Sequence, residues 1–225
     1  MKRMALNTRY LLIAALAVAI DGCSDVSEEV DDPSLQDPLG QGSQALTAQQ
    51  EIDACRASGL NVIIGTPNDD TLNGTANADC IVALGGQDTV NGLGGNDRIF
   101  GGEGNDALNG GAGNDEISGG GGQDELTGGD GNDRMSGDDG DDRLSGSAGD
   151  DTLDGQQGQD SMSGGSGNDS LTGGTGDDAL AGDGGNDQML DCNDHNRFDG
   201  GPGTDSCTGD ARASTFASCT TSACP

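Results

Sequence analysis

The residues best placed to do chemistry are aspartates that return every nine positions. From Gly65 to Thr208 the chain divides into sixteen nine-residue units without gap or insertion. The sixth position of these units reads Asp70, Asp79, Asp88, Asp97, Asp106, Asp115, Asp124, Asp133, Asp142, Asp151, Asp160, Asp169, Asp178, Asp187, Asn196 and Asp205. Ionised carboxylates only accept hydrogen bonds, and in rows they oppose one another. Two of them about 5 Å apart repel by roughly 3 kcal/mol at an effective dielectric near 20. The stretch holds thirty Asp and Glu against four Arg, a net charge of −26, so a cation must neutralise the rows. Oxygen-rich, glycine-turned loops suit a hard ion. Calcium accepts about six to eight oxygens from carboxylates and backbone carbonyls in forgiving geometry, whereas magnesium keeps its waters. Zinc prefers nitrogen or sulfur ligands, which these loops lack.

The rest of each unit positions that carboxylate. The eighth position is apolar sixteen times, from Leu72, Ile81 and Val90 to Met189, Phe198 and Cys207. The first is Gly in fourteen units and the fourth in thirteen. A disordered Gly/Asp-biased tract would not keep four positions in phase over 144 residues, so the period defines a structural repeat. In Gly101-Gly102-Glu103-Gly104-Asn105-Asp106-Ala107-Leu108-Asn109 the first six residues read as a turn, because Gly permits positive φ and Asn and Asp tolerate it. The last three read as a minimal strand, with Leu108 inward and Ala107 and Asn109 outward. One such strand cannot bury its hydrophobe, but stacked copies form a narrow apolar ladder.

These units resemble the Gly-Gly-x-Gly-x-Asp-x-apolar-x pattern of the RTX, or haemolysin-type, calcium-binding repeat. Gly110-Gly111-Ala112-Gly113-Asn114-Asp115-Glu116-Ile117-Ser118 and Gly164-Gly165-Ser166-Gly167-Asn168-Asp169-Ser170-Leu171-Thr172 match it completely. The resemblance covers about two thirds of the chain. It implies an all-β fold, a right-handed parallel β-roll with two units per turn and about eight turns, roughly 40 Å long at about 4.8 Å per strand. It also implies calcium ions between same-side loops of successive turns, held by sixth-position carboxylates and loop carbonyls. One ligand column would be Asp70, Asp88, Asp106, Asp124, Asp142, Asp160 and Asp178. The other would be Asp79, Asp97, Asp115, Asp133, Asp151, Asp169, Asp187 and Asp205. Three units depart from the pattern: Asn68 and Asn77 replace the fourth-position Gly, and Asp191–Asp199 has Asp at its first and fourth positions and Asn196 at its sixth. Terminal repeats are commonly atypical because they cap the stack.

The whole chain has 225 residues, 43 Gly, four aromatic residues and a net charge of −31. Such a composition ordinarily reads as disorder. The repeat register overrides that reading only if a metal is bound, so folding is expected to be coupled to calcium. Nucleic acid is excluded as a partner, since phosphate binding needs clustered Lys and Arg.

Residues 1–22 read as an export signal, with Lys2, Arg3 and Arg9 before the apolar run Leu11–Ile20, which is too short to span a bilayer. Ile20-Asp21-Gly22-Cys23 resembles a bacterial lipobox, although Asp21 stands where a small residue is usual. It implies lipidation at Cys23 and an outer-membrane anchor; the alternative is an ordinary signal peptide with an incidental Cys. Residues 23–44 read as an acidic tether or a short propeptide, 45–64 as an N-terminal cap with a short helix and a first strand, and 209–225 as a C-terminal cap or tail. Setting Cys23 aside leaves an even set: Cys55, Cys80, Cys192, Cys207, Cys219 and Cys224. In an oxidising compartment these pair, and six cysteines allow fifteen connectivities. Cys55–Cys80 is the expected first bridge, and the other four would close the C-terminal end.

Catalysis has little room, since about 42 residues separate the signal from Gly65 and 17 follow Thr208. A catalytic fold needs a larger core. The single histidine, His195, lies in a degenerate unit with no nucleophile-elbow or HExxH spacing around it. The expected function is therefore calcium binding by an exported, non-catalytic module at the cell surface or outside the cell. An adhesin-like role toward an unidentified protein or glycan, and an accessory or remnant of a secreted calcium-dependent hydrolase, are the alternatives. Ice binding is disfavoured because the third position has no Thr ladder: it reads Pro67, Ala76, Gly85, Gly94, Glu103 and Ala112, with Thr only at Thr175.

Overall fold

The computed structural model describes residues 47–192, 194–209 and 215–223. The signal segment, Cys23, the tether and Cys224 lie outside the described residues. The chain opens with helix α1 (Ala48–Ser58), followed by β1 (Asn61–Ile64), β2 (Thr71–Asn73), β3 (Asp79–Gly85), β4 (Thr89–Gly94) and β5 (Arg98–Glu103). Next come β6 (Ala107–Ala112), β7 (Glu116–Gly121), β8 (Glu125–Asp130), β9 (Arg134–Asp139), β10 (Arg143–Ala148) and β11 (Thr152–Gln157). Then follow β12 (Ser161–Ser166), β13 (Ser170–Thr175), β14 (Ala179–Gly184) and β15 (Gln188–Asp191). The last are β16 (Arg197–Asp199), β17 (Asp205–Gly209), β18 (Thr215–Ala217) and β19 (Cys219–Ala223).

Odd-numbered strands form one ten-stranded sheet and even-numbered strands a nine-stranded sheet. Every neighbouring pair is parallel, and within the repeat the partners lie 18 residues apart, as in Leu108↔Leu126 and Ile117↔Met135. Two units therefore make one turn, and the fold is a parallel β-roll of about eight turns. The sixteen eighth-position side chains supply its core. Ile81, Val90, Ile99, Leu108, Ile117 and their successors to Phe198 and Cys207 form one buried cluster, with Leu72 partly buried at its start.

The strands are longer than the three residues expected from the pattern. A typical one takes the last three positions of one unit and the first three of the next, leaving only positions four to six as the turn. Burial alternates along the first four, so that in β6 both Leu108 and Gly110 face inward. Glycine at the first position is thus a core residue, not a turn residue. The second position has left-handed φ even where no Gly stands, as at Leu93 (76°), Asp138 (72°) and Gln156 (71°).

Helix α1 lies against the side of the roll. Cys55, Ile52 and Leu60 pack with Cys80, Val82, Leu84, Val62 and Phe100. The strand residues in this group occupy outward positions, so α1 covers the outer face of β1, β3 and β5. The disulfide Cys55–Cys80 pins it there, with Cα atoms 5.5 Å apart, as the sequence suggested. At the other end Cys207, in the apolar ladder, is bonded to Cys219. Phe216 stacks on Phe198 at 5.0 Å, and Cys192 is also disulfide-bonded.

Fourth-position glycines carry the tightest steric demand. At Gly113 φ is 134°, and a Cβ would overlap the carbonyl oxygen of Gly95 one turn earlier. At Gly94, in the third position, a Cβ would meet only Ala112 at ordinary contact distances. Gly113→Ala is expected to destabilise the protein by roughly 3 kcal/mol or more, and Gly94→Ala by less than about 0.5 kcal/mol. Thermal unfolding of the two variants side by side checks this contrast.

Candidate metal centre

Sixth-position aspartates continue the inward alternation that begins at the eighth. Asp79 and every sixth-position residue from Asp88 to Asp205 is buried, Asn196 included. The side chains stack in two columns, one at each edge where the sheets meet, with the memberships expected from the 18-residue register. One carboxylate oxygen of each is used in the stack. Asp124 Oδ1 accepts the N–H of Asp106 at 2.8 Å, and Asp142 Oδ1 accepts that of Asp124 at 2.8 Å. The same bond runs from Asp70 N to Asp88 Oδ1 and onward up both columns. Asn196 keeps it with its amide oxygen, which accepts from Asp178 N at 2.8 Å. The aspartate carbonyls are occupied as well: Asp106 O accepts from Glu125 N at 2.8 Å.

The other oxygen has no donor. Oδ2 of every sixth-position aspartate from Asp88 to Asp187, and of Asp205, is buried without a hydrogen-bond partner. Except at Asp88, whose unit begins with Ala83, it faces the space kept open by a first-position glycine. A Cβ on Gly119 would stand 2.5 Å from Asp124 Oδ2 and 2.7 Å from the carbonyl oxygen of Gly137. Carboxylate and carbonyl oxygens therefore converge where a side chain would otherwise sit. A buried, unpartnered anionic oxygen is costly, and these cradles offer oxygen donors alone. That donor set fits calcium. No group of three or more His, Cys, Asp or Glu side chains converges among the described residues, so carbonyls must supply much of any coordination shell.

Asp70 and Asp79 differ from the rest. Asp70 Oδ2 accepts from Thr66 N at 2.6 Å and Thr66 Oγ1 at 2.8 Å. Asp79 Oδ2 accepts from Thr75 N at 2.5 Å and Thr75 Oγ1 at 2.9 Å, and its Oδ1 from Asn61 Nδ2 at 2.5 Å. Two further features were not read from the sequence. Fifth-position side chains form an outer ladder, in which Asn96, Asn114 and Asn132 Oδ1 accept the N–H of residues 114, 132 and 150. In the degenerate fifteenth unit Asp191 carries its carboxylate into the cradle beside Asp178: a Cβ on Gly173 would touch both Oδ2 atoms. His195 is an exposed loop residue whose Nδ1 lies 3.6 Å from Asp177 Oδ1.

A parallel two-sheet roll with oxygen-lined cradles at every turn defines a calcium-binding repeat β-roll. The chain belongs to the RTX calcium-binding nonapeptide repeat family, whose repeat matches residues 57–90, 91–126, 127–162 and 154–189 in four copies. Comparison with curated proteins gives no match.

Burial shifts the carboxylates. Asp124 and Asp160 are pushed up to about 7, and Asp97, Asp106, Asp133, Asp142 and Asp169 to about 6. Desolvation is the largest cause; the N–H bond from the preceding turn opposes it, and neighbouring carboxylates add to it in these columns. The metal-free fold thus holds protons more tightly than the unfolded chain. Its stability is greatest below the unfolded carboxylate value, near pH 4, and falls as pH rises through about 6 to 7. Without divalent ions, strand content measured by far-UV circular dichroism is expected to be higher at pH 4.5 than at pH 7.5. The opposite trend would refute the assignment of these shifts.

Proposed function

We propose that this protein is an exported, non-catalytic calcium-binding β-roll that folds on binding calcium and serves as a structural or interaction module at the cell surface or outside the cell. The observation that carries the proposal is the repeated unpartnered Oδ2 from Asp88 to Asp187 and at Asp205, set beside first-position carbonyls in units such as those of Asp97, Asp124 and Asp160. These carboxylates are the proposed ligands: Asp88, Asp106, Asp124, Asp142, Asp160 and Asp178 in one column, and Asp97, Asp115, Asp133, Asp151, Asp169, Asp187 and Asp205 in the other. Bound calcium would neutralise each column and occupy the space the glycines leave. The chain's own part is to align Oδ1 through the inter-turn bond, so that Oδ2 is presented at fixed spacing.

Export is supported by the basic-then-apolar start of the chain and by disulfides, which persist in oxidising compartments. Cys23 is the proposed lipid-bearing residue, giving an outer-membrane anchor. The non-catalytic reading is supported by the exposure of His195, the one histidine of the chain, beside Asp177 and by the weight of the repeat in the chain.

Asp124→Asn separates the two roles of one ligand. The amide retains the acceptor for Asp106 N but removes the charge. Without calcium, strand content should rise, because one buried anion has gone. In a calcium titration the midpoint should move to higher concentration by about twofold to tenfold, with magnesium producing no strand signal in either protein. A calcium-independent spectrum at neutral pH for both chains would dismiss the proposal.

A further inference from the structure

The first unit of each column is built to do without the ion. In both, a threonine at the second position turns its N–H and hydroxyl onto Oδ2 of the aspartate, at 2.6 and 2.8 Å for Asp70 and at 2.5 and 2.9 Å for Asp79. No later repeat has Thr at this position, and no later Oδ2 of a sixth-position aspartate is bonded. At Asp79 the side chain of Asn61 also supplies the Oδ1 bond that a preceding turn would otherwise provide. An anion that accepts several hydrogen bonds is stable as an anion without a counter-cation.

Two independent features fall in the same place. Asn68 and Asn77 occupy the fourth position, where inner units need Gly because a Cβ would strike the turn before, as Gly104 would strike Gly86 O. No repeat precedes these two units, so the restriction is lifted and the sequence shows where the stack begins. The outer face of the same turns carries the second apolar cluster, closed by α1 and the Cys55–Cys80 disulfide. Polar satisfaction at Asp70 and Asp79, an extra core and a covalent tie thus coincide over residues 47–85, short of Asp88 and Asp97, whose Oδ2 atoms are unpartnered.

We propose that Thr66 and Thr75 take the place of calcium at the first unit of each column, so that Asp70 and Asp79 bind no calcium and residues 47–85 form a metal-independent seed. The inference rests on the calcium reading for the later turns. In a one-dimensional stack the costly step is the first turn, which has no neighbour to pair with. A seed already folded on export presents two strand edges, and each calcium-filled turn is then added to a preformed template.

Hydrogen–deuterium exchange of the full chain, read by mass spectrometry in chelator and in calcium, tests this directly. In chelator, peptides within 47–85 should be protected while those within 86–208 exchange as an unfolded chain; calcium should then protect the latter. Thr66→Val with Thr75→Val should abolish the chelator-resistant block and raise the calcium midpoint of the later turns by about threefold or more. Thr66→Ser with Thr75→Ser should restore both. Asp70→Asn with Asp79→Asn should leave the number of bound calcium ions unchanged by calorimetry. The seed is overturned if 47–85 is unprotected in chelator, if the valine pair changes neither readout, or if the asparagine pair loses bound ions. Protection of 47–85 in chelator with no response of 86–208 to calcium would uphold the seed and sink the calcium reading instead.

Discussion

A charge buried at the edges of the inner turns, with one oxygen used and the other unpartnered, is the constraint on which the roll depends. The Oδ1 bond to the preceding turn requires the carboxylate to point inward. Once there, neighbouring carboxylates repel along the column, and among the described residues no Arg or Lys is buried. The apolar ladder opposing this is one side chain wide. Hydrophobic burial of that size must also offset the conformational entropy of ordering nine residues per unit, many of them glycine. Such a balance leaves folding in the hands of whatever neutralises the columns, which is why a metal can act as the switch between chain and roll.

Much of this was legible because the repeat writes the same environment many times. The eighth-position ladder and the Cys55–Cys80 bridge followed from spacing and residue type, and the two aspartate columns from the resemblance to the RTX repeat. The strand ends did not. Gly110 and Gly111 look like turn residues, yet Gly110 is inward-facing strand whose small size serves the aspartate beside it. Glycine has no side chain to reveal a period of two, so alternation could be read only from Asp115 and Ile117 onward. The lateral seat of α1 was hidden for another reason: the outward positions were averaged as polar. Cys80, Val82, Leu84 and Phe100 break that rule together, in adjacent turns, and mark the face that is covered. The threonines at 66 and 75 were likewise visible as residues, but their meaning depends on knowing that the second position can reach Oδ2.

The two ends are finished differently. At the N-terminal end the tie is on the outside, between helix and sheet face. At the C-terminal end it lies in the core, where Cys207 replaces an apolar rung and Phe198 stacks on Phe216. The fifteenth unit, where the pattern fails most, lies beside this closure. Asn196 keeps the geometry of the column without its charge, while Asp191 returns a carboxylate from the first position.

The 18-residue register between parallel neighbours also governs how such a gene can lengthen or shorten. Duplicating or deleting two units adds or removes a whole turn and leaves every remaining side chain in its column and on its face. A change of one unit is quite different, because everything downstream moves to the opposite sheet and the opposite edge. In this chain the helix-bearing face and the Cys207–Cys219 closure both belong to the odd-numbered sheet. A single-unit slip between them would put the two terminal ties on opposite sheets and end the stack on the wrong edge. Array length should therefore drift among relatives in steps of two units, with odd steps tolerated only where an end is rebuilt.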